Sequence, residues 1–283
     1  MLLVLALLAF GCAAAREETP EPEPTPGLPP LRVGISTDVP PFVFEEGGHY
    51  VGLEIDLARE LGKALELQPR FVELTWDDLI PALLDHRIDI IMSGMTITEP
   101  RKVRAFFTKP YLESKLSVLV RRGDVAKLVT LEAIKRSGAK VGVTKGTTGE
   151  AFVRENLPVV TTVYAYDTAQ DAVAELRGRR IDAYFGNEPT LAWLASQYEA
   201  EVAVSIKHLP QDEPIGWALR KTDPVLQESV NSVLADWKKD GSLLLVLDRW
   251  LPTLSGNESE DHARSQSGDK LPDRHHDRTH DKQ

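Results

Sequence analysis

The feature that most limits this chain is a regular alternation of strand-like and helix-like segments between residues 31 and 254. Apolar runs suited to buried strands occur at 31–36 (LRVGIS), 70–74 (RFVEL), 88–92 (IDIIM), 117–120 (SVLV), 140–143 (KVGV), 160–164 (VTTVY), 181–185 (IDAYF) and 216–220 (GWALR). Between them, apolar residues recur at helical intervals. Leu53, Leu57, Leu61 and Leu65 step by four, Ala169, Val173 and Leu176 follow a similar spacing, and Val225, Ser229, Val233 and Trp237 mark a further expected helix face. This rhythm predicts an α/β fold of parallel-rich sheets with helices on both faces. In such sheets ligands bind beyond the carboxyl ends of the strands, at topological switch points. The residues that follow each strand are therefore where function is to be sought.

Composition narrows the classes. At 283 residues with 42% hydrophobic content, the chain can fill one or two cores. Its 33 Lys and Arg against 43 Asp and Glu leave a net charge of −10, with no basic surplus to neutralise phosphates, so nucleic acid is excluded as a partner. A single cysteine, Cys12, excludes an internal disulfide framework and any Cys-clustered zinc site. No apolar run reaches the roughly 18 residues of a spanning helix.

The longest apolar run, MLLVLALLAF at residues 1–10, reads as a secretory h-region, followed by Gly11 and Cys12. It resembles a bacterial lipoprotein signal, with residues 1–11 removed and the Cys12 thiol lipidated. No basic residue precedes the run, and Ala9 stands where such signals usually have leucine. Residues 12–30 are proline-rich, a composition that favours extended polyproline II and suits a semi-rigid tether. Residues 255–283 hold only Ala263 and Leu271 as aliphatic side chains and read as a disordered tail. The tail's histidines, His262, His275, His276 and His280, lack anything to preorganise them as metal ligands.

Four post-strand loops are rich in small polar residues: Thr37-Asp38-Val39-Pro40-Pro41-Phe42, Ser93-Gly94-Met95-Thr96-Ile97-Thr98, Thr144-Lys145-Gly146-Thr147-Thr148-Gly149, and Gly186-Asn187-Glu188-Pro189. Gly146-Thr147-Thr148 opens a helix and can be read two ways, as an anion-binding turn or as an ordinary helix cap. It lacks the spacing of a nucleotide P-loop. Arg101, three residues after the expected N-cap Thr98, offers either a planar fork for a carboxylate or one more surface arginine beside Lys102 and Arg104.

Taken together these motifs resemble the bacterial extracellular solute-binding proteins of family 3, the polar amino-acid receptors of ABC importers. The resemblance covers residues 31–254 and rests on Gly52-Leu53-Glu54-Ile55-Asp56-Leu57-Ala58, Trp76-Asp77-Asp78-Leu79-Ile80-Pro81-Ala82-Leu83, the 93–101 loop, Gly146-Thr147-Thr148, and Asp248-Arg249-Trp250-Leu251. It implies a two-lobed periplasmic-binding-protein fold of type II with two hinge strands. Lobe one would span 31–113 and return at 215–254, and lobe two would span 114–214.

The same resemblance implies the site. Arg101 would grip a ligand α-carboxylate, with the backbone at Ser93 and Gly94 and the Thr96 hydroxyl and N–H completing the grip. Thr147 and Thr148 would close from lobe two, Trp76 or Phe42 would flank the ligand side chain, and Asp38 would meet its head group. Where the family usually has an aspartate for the α-ammonium, this chain has Asn187, which leaves two readings: Glu188 beside it is a substitute anchor, or the ligand lacks a conventional α-ammonium. The implied protein is a lipid-anchored extracytoplasmic monomer that hands an amino acid or close analogue to a membrane permease, without cofactor or metal. The rivals are a periplasmic dehydratase-type enzyme on the same fold and a ligand sensor. An enzyme would need a poised acid or base, and only Asp38 and Glu188 stand in the right loops.

Overall fold

The computed structural model describes residues 27–157 and 162–252. The signal, Cys12, most of the tether and the tail lie outside the described residues. Among the described residues no helix is long and apolar enough to cross a membrane.

Two five-stranded mixed sheets organise the chain. The first is ordered β4-β1-β5-β12-β6, from β1 (Pro30–Ile35), β4 (Gln68–Glu73), β5 (Ile90–Ile91), β6 (Phe106–Phe107) and β12 (Ala218–Leu219). β1 runs parallel to β4 and β5, with Val33 opposite both Phe71 and Ile90, and β12 runs antiparallel to β5 and β6. The second is ordered β11-β7-β10-β8-β9, from β7 (Leu116–Arg121), β8 (Val141–Thr144), β9 (Val163–Tyr166), β10 (Ala183–Asn187) and β11 (Val202–Ile206). Here β8, β9 and β10 are parallel, and β7 opposes β10 and β11. A small hairpin of β2 (Phe44–Glu46) and β3 (His49–Val51) precedes the first helix.

The chain crosses between the sheets twice, and the two crossings run antiparallel to each other. Leu112 bridges Ile215 and Lys115 bridges Asp212. The Glu213 N–H donates to the Ser114 carbonyl at 2.9 Å and the Ile215 N–H to the Leu112 carbonyl at 2.8 Å. This pair of segments is the hinge of a two-lobed clamp.

Each sheet is covered by helices whose apolar stripes face it. α1 (Leu53–Leu65) buries Leu53, Leu57 and Leu61 and stops at Glu66, which turns left-handed at φ 54°. In α6 (Ala169–Arg177), Ala169, Val173 and Leu176 are buried as their spacing predicts. In α8 (Pro224–Asp240) the expected face needs correction. Val225 is 76% exposed, and Val230 and Leu234 are the residues buried. Four residues turn a helix about 40° past a full circle, so a stripe drawn in steps of four drifts off the core side. It begins exposed at Val225 and reaches the core only at Val233 and Trp237, which pack against it.

The helices start where small polar residues end the preceding loop. Thr98, Thr130, Thr147, Thr168 and Asn187 cap α3 (Glu99–Arg104), α4 (Leu131–Ser137), α5 (Thr148–Asn156), α6 and α7 (Glu188–Gln197), each side chain accepting a backbone N–H three residues on. Several post-strand loops therefore end in a capped helix start, and those starts converge between the lobes.

Candidate functional site

The carboxyl ends of β1, β5, β8 and β10 converge on a cavity of about 60 Å³ between the lobes, lined from lobe one by Ser36, Asp38, Trp76, Gly94, Thr96 and Arg101. Lobe two contributes Thr144, Thr147, Thr148, Asp167, Tyr184, Asn187 and Thr190. A solute enters the cavity only when the lobes part.

Arg101 is the hub. It projects from the first turn of α3, one Nη donating to the Thr96 carbonyl at 2.8 Å and the other across the cleft to the Gly146 carbonyl at 3.0 Å. Its guanidinium lies 5.5 Å from the Trp76 ring centroid, a cation–π contact. The Trp76 Nε1–H also donates to the Gly146 carbonyl, at 3.2 Å. Burial pushes the Arg101 pKa down to about 10, and the Glu213 carboxylate works against that, so the group is charged at neutral pH. Its donors are spent on backbone carbonyls that a ligand carboxylate can displace with a stronger, charge-assisted pair.

Gly146 is the cross-lobe acceptor, and its conformation leaves little choice of residue. Its φ is +67°, and a Cβ there would lie 2.5 Å from Asp77 Oδ1 and 3.1 Å from a Trp76 ring carbon. Gly146→Ala is expected to hinder closure and weaken ligand affinity by about tenfold, since the added Cβ meets Asp77 and Trp76 across the cleft only when the lobes are shut. Titration calorimetry on the variant checks this, and unchanged affinity would mean that the two lobes do not meet at this carbonyl.

Asp38 is an exposed residue of the cavity lining and makes no ion pair or hydrogen bond among the described residues. Partial desolvation raises its pKa, and the neighbouring Glu73 and Asp171 carboxylates add to the rise. A cation would relieve that field. Asp167, by contrast, is paired with Lys145 at 2.6 Å.

Of the residues singled out in the sequence, Asp38, Trp76, Gly94, Thr96, Arg101, Thr147, Thr148 and Asn187 line this cavity. Phe42, Ser93 and Glu188 are not among the lining residues. Phe42 is fully buried in the lobe-one core, beneath Gly94, whose own Cβ would strike its ring at 2.7 Å. Ser93 is buried, and its hydroxyl accepts from the Ser36 N–H at 2.9 Å. The Glu188 carboxylate lies 3.3 Å from His208 Nε2, outside the lining. The Gly94 N–H, expected to serve a ligand, donates instead to Glu54 Oε1 at 2.8 Å. Asn187 has its carbonyl oxygen engaged as the cap of α7, accepting from the Thr190 N–H at 3.0 Å.

Ser36, Thr144, Asp167, Tyr184 and Thr190 join the cavity without having been singled out in the sequence. Thr190 Oγ1 is buried without a partner among the described residues. Sequence reading also passed over Glu213, a fully buried carboxylate in the second crossing that accepts hydroxyls from both lobes. Among the described residues no cluster of metal-ligating side chains exists. A larger hollow of about 1000 Å³ lies along α1, β4 and α9 (Ser242–Trp250) and shares no lining residue with the cleft.

Comparison with known proteins agrees with this geometry. The family model for bacterial extracellular solute-binding proteins, family 3, matches residues 31–253. ABC transporter arginine-binding protein 1 of Escherichia coli K12 is 31% identical over 253 residues, covering 88% of this chain and 96% of that protein. An ancestral arginine-binding protein bound to arginine superposes with a TM-score of 0.74 at 34% identity, over 78% of this chain and 97% of its own. An ancestral amino-acid-binding protein described as a precursor of cyclohexadienyl dehydratase gives 0.73 at 37% identity, over 78% and 94%.

Proposed function

Because the chain belongs to the bacterial extracellular solute-binding proteins of family 3, we propose that it captures a cationic L-amino acid between its lobes and delivers it to an ABC-transporter permease outside the cytoplasm. The observation that carries this reading is the charge pattern of the cleft. One partly buried guanidinium, Arg101, faces the same cavity as Asp38, a carboxylate without an ion pair among the described residues. An α-carboxylate suits the first and a side-chain cation the second. Relatives that bind arginine support this polarity.

The ligand docks on lobe one through Arg101, and lobe two closes over it with Thr147, Thr148 and the Asn187 turn. Because it binds the closed form better, it shifts the population toward closure. The site offers little for catalysis. Asp38 is exposed, Glu188 lies outside the lining beside His208, and Glu213 is committed to two threonines. A thermal-shift panel of the twenty amino acids tests the reading. At about 100 times Kd a ligand adds about 2.7 kcal/mol of stability, and the bound compound should be recovered unchanged. Conversion of the ligand would favour the dehydratase-type alternative.

Asn187 bears on how the α-ammonium is held. Aspartate caps helices as well as asparagine does, so Asn187→Asp keeps α7 and adds a charge at the cleft. Affinity for an α-amino acid is expected to rise by about 1 kcal/mol. A loss on calorimetry would mean that the ammonium does not approach this turn.

Lipid anchoring through Cys12, with residues 12–30 as the tether, completes the proposal. Cys12→Ser is expected to release the protein from washed membranes with ligand affinity unchanged. Retention of the variant in the membrane fraction would contradict the anchor.

A further inference from the structure

Glu213 is rooted in the hinge and reaches both lobes. Its backbone N–H is bound to Ser114 of the first crossing at 2.9 Å. Its Oε2 accepts the Thr96 hydroxyl of lobe one at 2.7 Å and the Thr148 hydroxyl of lobe two at 2.6 Å. Its Oε1 accepts from Gln211 Nε2 at 2.8 Å. The side chain is wholly buried and does not itself line the cavity, whereas both threonines do.

A threonine hydroxyl has one hydrogen and two lone pairs. Once the hydrogen is given to Glu213, only lone pairs remain for the cleft. Thr147 is set the same way, donating to the Thr144 carbonyl at 2.7 Å. Thr96, Thr147 and Thr148 are thus fixed as acceptors toward the cleft. They are poorly disposed to help Arg101 with a carboxylate and well disposed to receive N–H groups.

We propose that Glu213 is a positioning residue that sets ligand polarity: by taking the protons of Thr96 and Thr148 it turns one hydroxyl from each lobe into an acceptor for the ligand α-ammonium. This rests on the amino-acid reading above. It adds a residue that never touches the ligand yet decides which end of it the threonines recognise.

The test compares L-arginine with 5-guanidinopentanoate, which keeps the carboxylate and guanidinium but lacks the α-ammonium, by calorimetry on the full protein. Glu213→Met removes the acceptor at nearly constant length. It is expected to weaken L-arginine by about tenfold or more, one charge-assisted hydrogen bond, and 5-guanidinopentanoate by less than about threefold. Glu213→Gln, whose amide oxygen still accepts both hydroxyls once Gln211 turns its own amide, should stay close to wild type for both compounds. If Glu213→Met does not fold, Thr148→Val should reproduce the selective loss and Thr148→Ser should restore it. Equal losses for both compounds reduce Glu213 to a structural role and overturn the proposal, as does wild type binding both equally tightly. Wild type that binds neither compound overturns the cationic amino-acid reading, and this inference with it.

Discussion

Arg101→Ala is expected to lower amino-acid affinity at least a hundredfold, while Lys102→Ala leaves it within about twofold. Truncating one partner of a buried charge-assisted pair costs about 2–5 kcal/mol, and Arg101 sits between the lobes with both Nη groups committed to carbonyls on either side. Lys102, one residue along the same helix, makes only an exposed pair with Glu99 at 2.8 Å, an arrangement worth well under 1 kcal/mol. Calorimetry on the two variants decides the point. Comparable losses would mean that general positive charge, rather than one fork, holds the ligand. The variant also removes the cation–π contact and the cross-lobe bond to Gly146, so its unliganded form should be more open, which small-angle scattering would register.

The largest stability loss is expected at Glu54. This wholly buried carboxylate accepts the Gly94 N–H at 2.8 Å, the Tyr111 hydroxyl at 2.7 Å and the Trp217 Nε1–H at 2.7 Å. It joins the start of α1 to a cleft loop and to residues from both crossings. Glu54→Ala would strand three buried donors and leave a void, at a cost of about 3–5 kcal/mol. Chemical denaturation measures this directly, and a loss below about 1 kcal/mol would refute the role given to it. Burial pushes the Glu54 pKa up from 4.5 to about 7, against the pull of its three donors. The folded state therefore holds this proton more tightly than the unfolded chain does. The group's contribution to stability is greatest below pH about 4.5 and falls as pH rises through about 7, by about 3 kcal/mol in all. Glu54→Gln should flatten the stability profile across that window.

Much of the fold was legible because its signals are local. Strand runs, helix caps and four-residue steps each lie within a dozen residues, and β1, β4, β7, β8 and β10 fall on or beside the runs that predict them. β6, β11 and the β2–β3 hairpin were missed. β6 is only two residues long. β11 (Val202–Ile206) is a short edge strand of mixed burial, and the hairpin strands have three residues each, too little for a period-two pattern to register. In the site, residues that follow strands were found because topology sends them to the cleft. Glu213 precedes its strand, and its partners lie 117 and 65 residues away. A glutamate between Asp212 and Pro214 carries no local sign that it is buried. Phe42 shows the opposite error. A post-strand position brings a residue near the ligand, but alternate side chains there turn into the core, as the Phe42 ring does.

On the function proposed, an inter-lobe cleft lined by both the Arg101 guanidinium and the Asp38 carboxylate selects a cationic amino acid. Calorimetric titration of the wild-type protein with L-arginine and L-glutamate tests it most directly. The carboxylate of L-arginine is expected to meet Arg101 and its guanidinium Asp38, whereas L-glutamate would bring a second carboxylate toward Asp38, Glu73 and Asp171. At least a hundredfold preference for L-arginine is expected, about 2.7 kcal/mol. Tighter binding of L-glutamate, or heat from neither, would contradict the account.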